Sequence, residues 1–118
     1  MNKIDRREQI AVCDQYGAEF VDSPENMKIG IADNVKSGLL PINGLRHPIE
    51  NGTAGWYIWA GKGDIPQDDP DFFKPMHVAH LPRICPGIVR FLGLAPGWRF
   101  LVAGDYQDVW FDPALLKI

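Results

Sequence analysis

Aromatic and β-branched residues are most concentrated in the stretch Gly55–Gly61, which reads Gly-Trp-Tyr-Ile-Trp-Ala-Gly. Such a run bounded by glycines is typical of a β-strand. Because side chains alternate along a strand, Trp56 and Ile58 would share one face, with Tyr57 and Trp59 on the other. Both faces are apolar, so the strand is predicted either to be covered on both sides or to show one aromatic face to a partner.

Two further strands are predicted near the end of the chain, at Trp98–Ala103 and Val109–Phe111, where turn residues flank alternating apolar positions. Asn-Gly pairs begin at Asn43 and Asn51. Both pairs predict turns, because asparagine and glycine tolerate positive φ. A short apolar run, Lys28–Ala32, lies among these turn signals.

The helical signals are weaker than the strand signals. In Ile4–Tyr16, apolar residues at every third position favour a helix with one packed side, and Gly17 is a plausible end. Further helical segments are predicted at about Pro75–Arg83 and at Pro86–Leu92, since proline is tolerated in a first turn. Apolar spacing in the second segment is that of a short helix facing a core.

These elements predict a single α+β domain with a mainly antiparallel sheet and one or more packed helices. No fixed repeat or low-complexity tract divides the chain. Residues 31–118 would form the core, and residues 1–30 an N-terminal helix or extension. The pattern leaves open whether that extension packs on the domain.

Composition narrows the classes of function. The 118 residues include 12 Lys+Arg and 15 Asp+Glu, so the net charge is −3. Because the chain is acidic and has no long basic run, nucleic-acid binding is disfavoured. No stretch approaches the roughly 20 apolar residues of a membrane span, and the charged first residues do not suit a signal peptide. A cytoplasmic protein without membrane association is expected. In that setting the two cysteines, Cys13 and Cys85, are expected to be reduced.

One cluster could carry metal chemistry. His77 and His80 are three positions apart and could share a helix face, with Cys85 or Asp71 as a third zinc ligand. The alternative is one histidine bonded within the fold and one on the surface. The sequence shows no phosphate-binding loop and no nucleophile motif. No catalytic residue and no cofactor are therefore assigned.

A proline-stiffened acidic segment between the aromatic strand and the predicted helices is the better candidate for a binding site. Its entropy loss on docking would be small, and its charge would speed encounter with a basic partner. A solvated loop without a partner is the alternative. The predicted partner-binding residues are this segment's aspartates with two strand aromatics: Asp64, Asp68, Asp69, Asp71, Tyr57 and Trp59.

A pattern of spaced residues adds a family resemblance. It comprises an arginine, a strand that starts with Gly-Trp and ends at a glycine, an Asp-Pro pair followed by a phenylalanine, and then spaced His-Leu, proline, apolar and Pro-Gly positions. The residues are Arg46, Gly55, Trp56, Gly61, Asp69, Pro70, Phe72, His80, Leu81, Pro86, Ile88, Leu92, Pro96, Gly97 and Phe100. From about Val35 to Phe111 the chain resembles a family of bacterial immunity proteins from polymorphic toxin systems, formerly catalogued as a domain of unknown function. Ala54 stands where that family has serine.

The resemblance implies a small α+β protein without enzymatic activity that protects its producer by binding a cognate toxin. It carries no catalytic residues, and its matching positions look like residues that maintain the fold. A basic toxin would suit the acidic segment. Two alternatives stay open: a small metal-binding domain or enzyme centred on His77, His80 and Cys85, and a structural module of a larger assembly. The oligomeric state is not predicted.

Overall fold

The computed structural model describes residues 4–62 and 71–117. Six strands form one sheet in the order β4-β1-β3-β2-β5-β6. Neighbouring strands are antiparallel except β1 and β3, which run parallel. The strands are β1 (Lys28–Ala32), β2 (Ile42–Arg46), β3 (Thr53–Ala60), β4 (Phe73–His77), β5 (Trp98–Ala103) and β6 (Tyr106–Phe111).

Within the described residues the helices are α1 (Arg6–Tyr16), the single turn α2 (Leu81–Ile84) and four 3₁₀ helices, at Asp33–Ser37, Val78–His80, Pro86–Phe91 and Pro113–Leu116. All of them except Pro113–Leu116 pack over one face of the sheet. The Asp5 side chain caps α1 by accepting the Arg7 N–H, and Gly17 ends the helix in the left-handed conformation. Gln9 and Cys13 of α1 bond to carbonyls of the segment around Pro86–Phe91, so the N-terminal helix packs on the domain.

The main core lies between these helices and the sheet. Trp56 and Ile58 of β3 are fully buried in it. Phe100 of β5 stacks on Phe91 with ring centroids 4.6 Å apart. Gly44 of β2 faces the Phe100 ring so closely that a Cβ atom would overlap it. The sheet and the helical layer are therefore joined through interlocked aromatic rings.

A buried arginine connects the sheet to two loops. Arg46, at the end of β2, is fully buried. Its guanidinium donates to five backbone carbonyls at 2.7 to 3.3 Å, those of Val21, Asp22, Ala54, Leu92 and Leu94. Burial lowers the pKa of Arg46 to about 10. The arginine named in the resemblance is thus a centre of hydrogen bonding within the fold.

The structure confirms the predicted α+β class, the helix ending before Gly17, the two faces of the aromatic strand and the turn at Asn51, where φ is +46°. Two predictions are wrong. The Asn-Gly pair at Asn43 lies inside β2, because Gly44 is required beneath a ring rather than in a turn. The segment from Pro75 begins as an edge strand, where a missing N–H is tolerated, and becomes helical only from Val78.

Candidate functional site

The sheet face opposite the main core carries a second, smaller aromatic cluster. Phe73 of β4 lies edge-on to Tyr57, with ring centroids 5.2 Å apart, and to Trp59 at 6.2 Å. Phe72 packs against Phe73 at 4.9 Å. Leu115, from the C-terminal 3₁₀ helix, is buried in the same cluster. The aromatic strand is therefore central in the sheet and contacts a separate apolar cluster on each face.

The two predicted strand aromatics differ in exposure. Trp59 is only 6% exposed, and its indole Nε1 has no hydrogen-bond acceptor among the residues that the structure describes. Tyr57 is half-buried, and its ring contacts both His47 and Phe73. Of the two, Tyr57 reaches the surface, whereas Trp59 lies beneath it and supports Phe73.

A groove runs beside Tyr57 on this face, with a volume of ≈ 220 Å³. It spans β1, β3 and β4, and its walls include the Tyr57 and Phe73 rings. The residues that line it include Lys28, Gly30, Gly55, Tyr57, Phe73 and Lys74. Its volume is below the roughly 300 to 1,000 Å³ of small-molecule sites. The groove therefore has room for about one side chain.

The acidic segment meets this surface at its end. Asp64, Asp68 and Asp69 lie outside the described residues. Asp71 is exposed and directly precedes Phe72 of the aromatic cluster. The last aspartate of the segment is thus one residue from the face that carries Tyr57.

The residues of the predicted metal cluster are spread over three elements. His77 ends β4, His80 ends the following 3₁₀ helix, and their ring centroids are 6.1 Å apart. Cys85 follows α2 and is half-buried, and burial raises the pKa of its thiol. Within residues 4–62 and 71–117, no group of three or more His, Cys, Asp or Glu side chains is placed to hold a metal ion.

Sequence reasoning found Tyr57 but missed the rest of the groove. Gly30 lies beside Tyr57 because β1 pairs with β3, which follows it by more than twenty residues. Pairing of Gly30 with Pro75 brings β4 to the other side. The signal available in sequence was a glycine between two isoleucines in Lys28–Ala32, which marks a site of close approach within a strand.

The fold and the site together define a small α+β domain with most of its helices on one sheet face, and an aromatic cluster and a groove on the other. The chain belongs to the Imm33-like domain family, whose model matches residues 8–112. The match includes most of α1, which the resemblance noted from sequence left out. The family name indicates an immunity-protein-like domain with a protein partner.

Searches among curated proteins and among solved structures find no match to the chain. None of the helices in the described ranges, 4–62 and 71–117, is long and apolar enough to cross a membrane.

Proposed function

We propose that this chain is an immunity protein that neutralises a cognate bacterial toxin by direct, one-to-one binding, without catalysing a reaction. Membership of the Imm33-like family carries the proposal, since the match covers residues 8–112. The half-buried Tyr57 ring beside the groove is consistent with a protein partner, because interface cores are enriched in aromatic residues.

The proposed partner is basic. Residues 64–71 contain four aspartates and no lysine or arginine, whereas the whole chain has a net charge of −3, so the remaining residues carry a net +1. The negative charge of the protein is therefore concentrated in one short segment. Such a segment steers an oppositely charged partner toward the surface next to it.

We place the contact surface at Asp64, Asp68, Asp69 and Asp71 together with Tyr57. Tyr57 supports this because it is half-buried beside the groove and supplies a rigid aromatic anchor. Trp59 belongs to the same proposed surface as a support, since it is buried and acts through Phe73.

The first experiment is an affinity capture from the native bacterium with the tagged chain as bait, read by mass spectrometry. Capture alone is not sufficient. A captured protein must stop growth when expressed alone, and co-expression of this chain must restore growth. A one-to-one complex by calorimetry is expected. Failure of every captured protein to be toxic, or failure of the chain to restore growth, contradicts the proposal.

The surface is tested by charge-matched variants of the same complex. Replacing Asp64, Asp68, Asp69 and Asp71 by asparagine should weaken binding at least tenfold at low salt and reduce its salt dependence. The control replaces four exposed aspartates elsewhere, Asp14, Asp33, Asp105 and Asp108. It changes the net charge equally and should leave affinity within about threefold. Equal effects of the two variants would contradict the placement.

A further inference from the structure

The two edges of the sheet differ in the backbone groups that they present. At the β6 edge, the Asp112 N–H donates to the Gly97 carbonyl at 2.7 Å, in register with the β5–β6 ladder. Because bonded and non-bonded pairs alternate along an antiparallel ladder, this bond fixes which residues of β6 face outward. They are Gln107, Val109 and Phe111, whose backbone N–H and C=O groups have no hydrogen bond among the described residues.

The opposite edge is interrupted by a proline. Beside β4, the Val78 N–H donates to the Met27 carbonyl at 2.9 Å, in register with the β1–β4 ladder. By the same alternation, Phe73, Pro75 and His77 face outward. Pro75 is at the centre of β4 and has no N–H to donate, so it opposes the pairing of a further strand. The sheet therefore has one blocked edge, β4, and one edge that can accept a strand, β6.

The side chains around β6 leave its edge accessible. The Gln107 amide bonds to the Tyr16 hydroxyl and the Arg90 guanidinium, which hold it over the sheet face that the helices cover. Tyr106 and Phe111, at the two ends of β6, are 60% and 47% exposed. Among the described strands, only β5 pairs with β6. Pairing along this edge would remove apolar ring surface from water as well as satisfy backbone groups.

We infer that β6 pairs antiparallel with β6 of a second copy of this chain, which gives a two-fold dimer with one continuous sheet. A two-fold axis at Val109 lets every outward residue form a bonded pair, Val109 with Val109 and Gln107 with Phe111 of the second copy. Because Pro75 blocks β4, the pairing closes as a dimer and does not propagate into a filament. The proposed toxin contact involves β3 and the residues before β4, so the β6 edge is separate from it.

The charges along β6 fit a second copy. Asp108 is exposed and forms no ion pair among the described residues. In the register centred on Val109, it lies opposite Trp110 of the second copy. The Trp110 ring centroid is 5.4 Å from the guanidinium carbon of Arg99, which bonds to Asp112 through Nη1 alone. Each Asp108 therefore approaches a cation of the other copy, and the two-fold axis forms this contact twice.

The association is tested with the full chain alone, by sedimentation equilibrium over concentrations from about 10 µM to about 1 mM. A single strand edge is a small interface, so a weak dimer with a dissociation constant of about 0.1 mM is expected. Hydrogen exchange by NMR locates the contact. The amides of Gln107, Val109 and Phe111 should exchange about threefold more slowly at about 1 mM than at about 50 µM, following the monomer fraction. The outward amides of β4, those of Phe73 and His77, should exchange equally at both concentrations.

Matched charge variants test the register. Asp108→Lys should weaken the dimer about tenfold or more, because the new ammonium would face the Arg99 guanidinium of the second copy. The control Asp14→Lys makes the same charge change at an exposed position of α1 and should leave the dissociation constant within about threefold.

The inference is overturned if the chain stays monomeric at about 1 mM, if exchange slows at the β4 edge instead, or if the two variants dimerise equally. It is also overturned if the β6 amides slow only when a toxin is added, which would assign this edge to a toxin segment. No toxin enters the sedimentation measurement, so a monomeric result removes the dimer alone. A missing toxin would remove the proposed function and leave the dimer standing.

Discussion

Replacing Arg46 by methionine should destabilise the fold substantially, although methionine fills similar space and removes a buried charge. Replacing a buried ion pair by apolar residues is often neutral. Here the acceptors are backbone carbonyls, which no substitution at position 46 can remove. Leu92 keeps two other donors, the Ser23 hydroxyl and the Trp56 indole. Among the described residues, the carbonyls of Val21, Asp22 and Leu94 accept hydrogen bonds from no donor other than Arg46.

The expected magnitude follows from these contacts. The Leu94 carbonyl is buried and those of Val21 and Asp22 are part-buried. Left without donors, these three carbonyls cost about 2 kcal/mol each, or about 6 kcal/mol together. Removing the buried charge offsets about 3 kcal/mol, the free energy that corresponds to lowering the pKa of Arg46 from 12.5 to about 10. The net loss for Arg46→Met is about 3 kcal/mol, a large part of the stability of an ordinary domain.

Urea unfolding followed by circular dichroism measures this loss. With a slope of about 1.5 kcal/mol per M, the midpoint should fall by about 2 M. Arg83→Met, at an exposed arginine, is the control and should shift the midpoint by less than about 0.3 M. Arg46→Lys should be intermediate, because an ammonium has three donors and lacks the planar fork. A midpoint for Arg46→Met equal to that of the control would refute the reasoning.

Three further predictions concern other positions. Gly44→Ala should lower the urea midpoint by about 1 M or more, because the new Cβ atom would overlap a buried phenylalanine ring. The control Gly87→Ala places its Cβ atom in open space and should leave the midpoint unchanged. Equal midpoints for the two variants would contradict this prediction. Asp5 has its pKa lowered to about 2 by its arginine partner, so its stabilising effect is present above pH 3.8 and lost as the pH falls through 2. The stability difference from Asp5→Ala should shrink over that interval, and a constant difference would oppose it. Thiol labelling at pH 7 should modify half-buried Cys85 before buried Cys13, and the reverse order would exclude the described packing.

The parts of the fold that sequence predicted are those with local causes. Alternation assigned the faces of β3, and Gly17 ended α1, because each depends on residues within a few positions. The Asn43-Gly44 pair was misread as a turn. Gly44 is a glycine because the Phe100 ring of β5, far away in sequence, leaves no room for a side chain there. Pro75 was misread because a proline that can start a helix can equally lie on a sheet edge.

The candidate site was predicted less completely than the fold. Tyr57 stood out because it belongs to an aromatic strand with two apolar faces. Lys28 and Lys74 gave no signal, since single exposed lysines occur throughout the surface of any protein. They line one groove only because β1 joins β3 on one side and β4 on the other. That adjacency depends on the pairing of distant strands, which no local pattern encodes.

The parallel pairing of β1 with β3 has a consequence for how fast the chain folds. The β5–β6 hairpin closes over a two-residue turn and can form early. Gly30 of β1 must instead meet Tyr57 and Pro75, which leave the ribosome many residues later. Closing such long loops costs chain entropy before any stabilising contact forms, so folding should take milliseconds to seconds rather than microseconds. The groove beside Tyr57 therefore forms only once β1 lies between β3 and β4, because residues of all three strands line it.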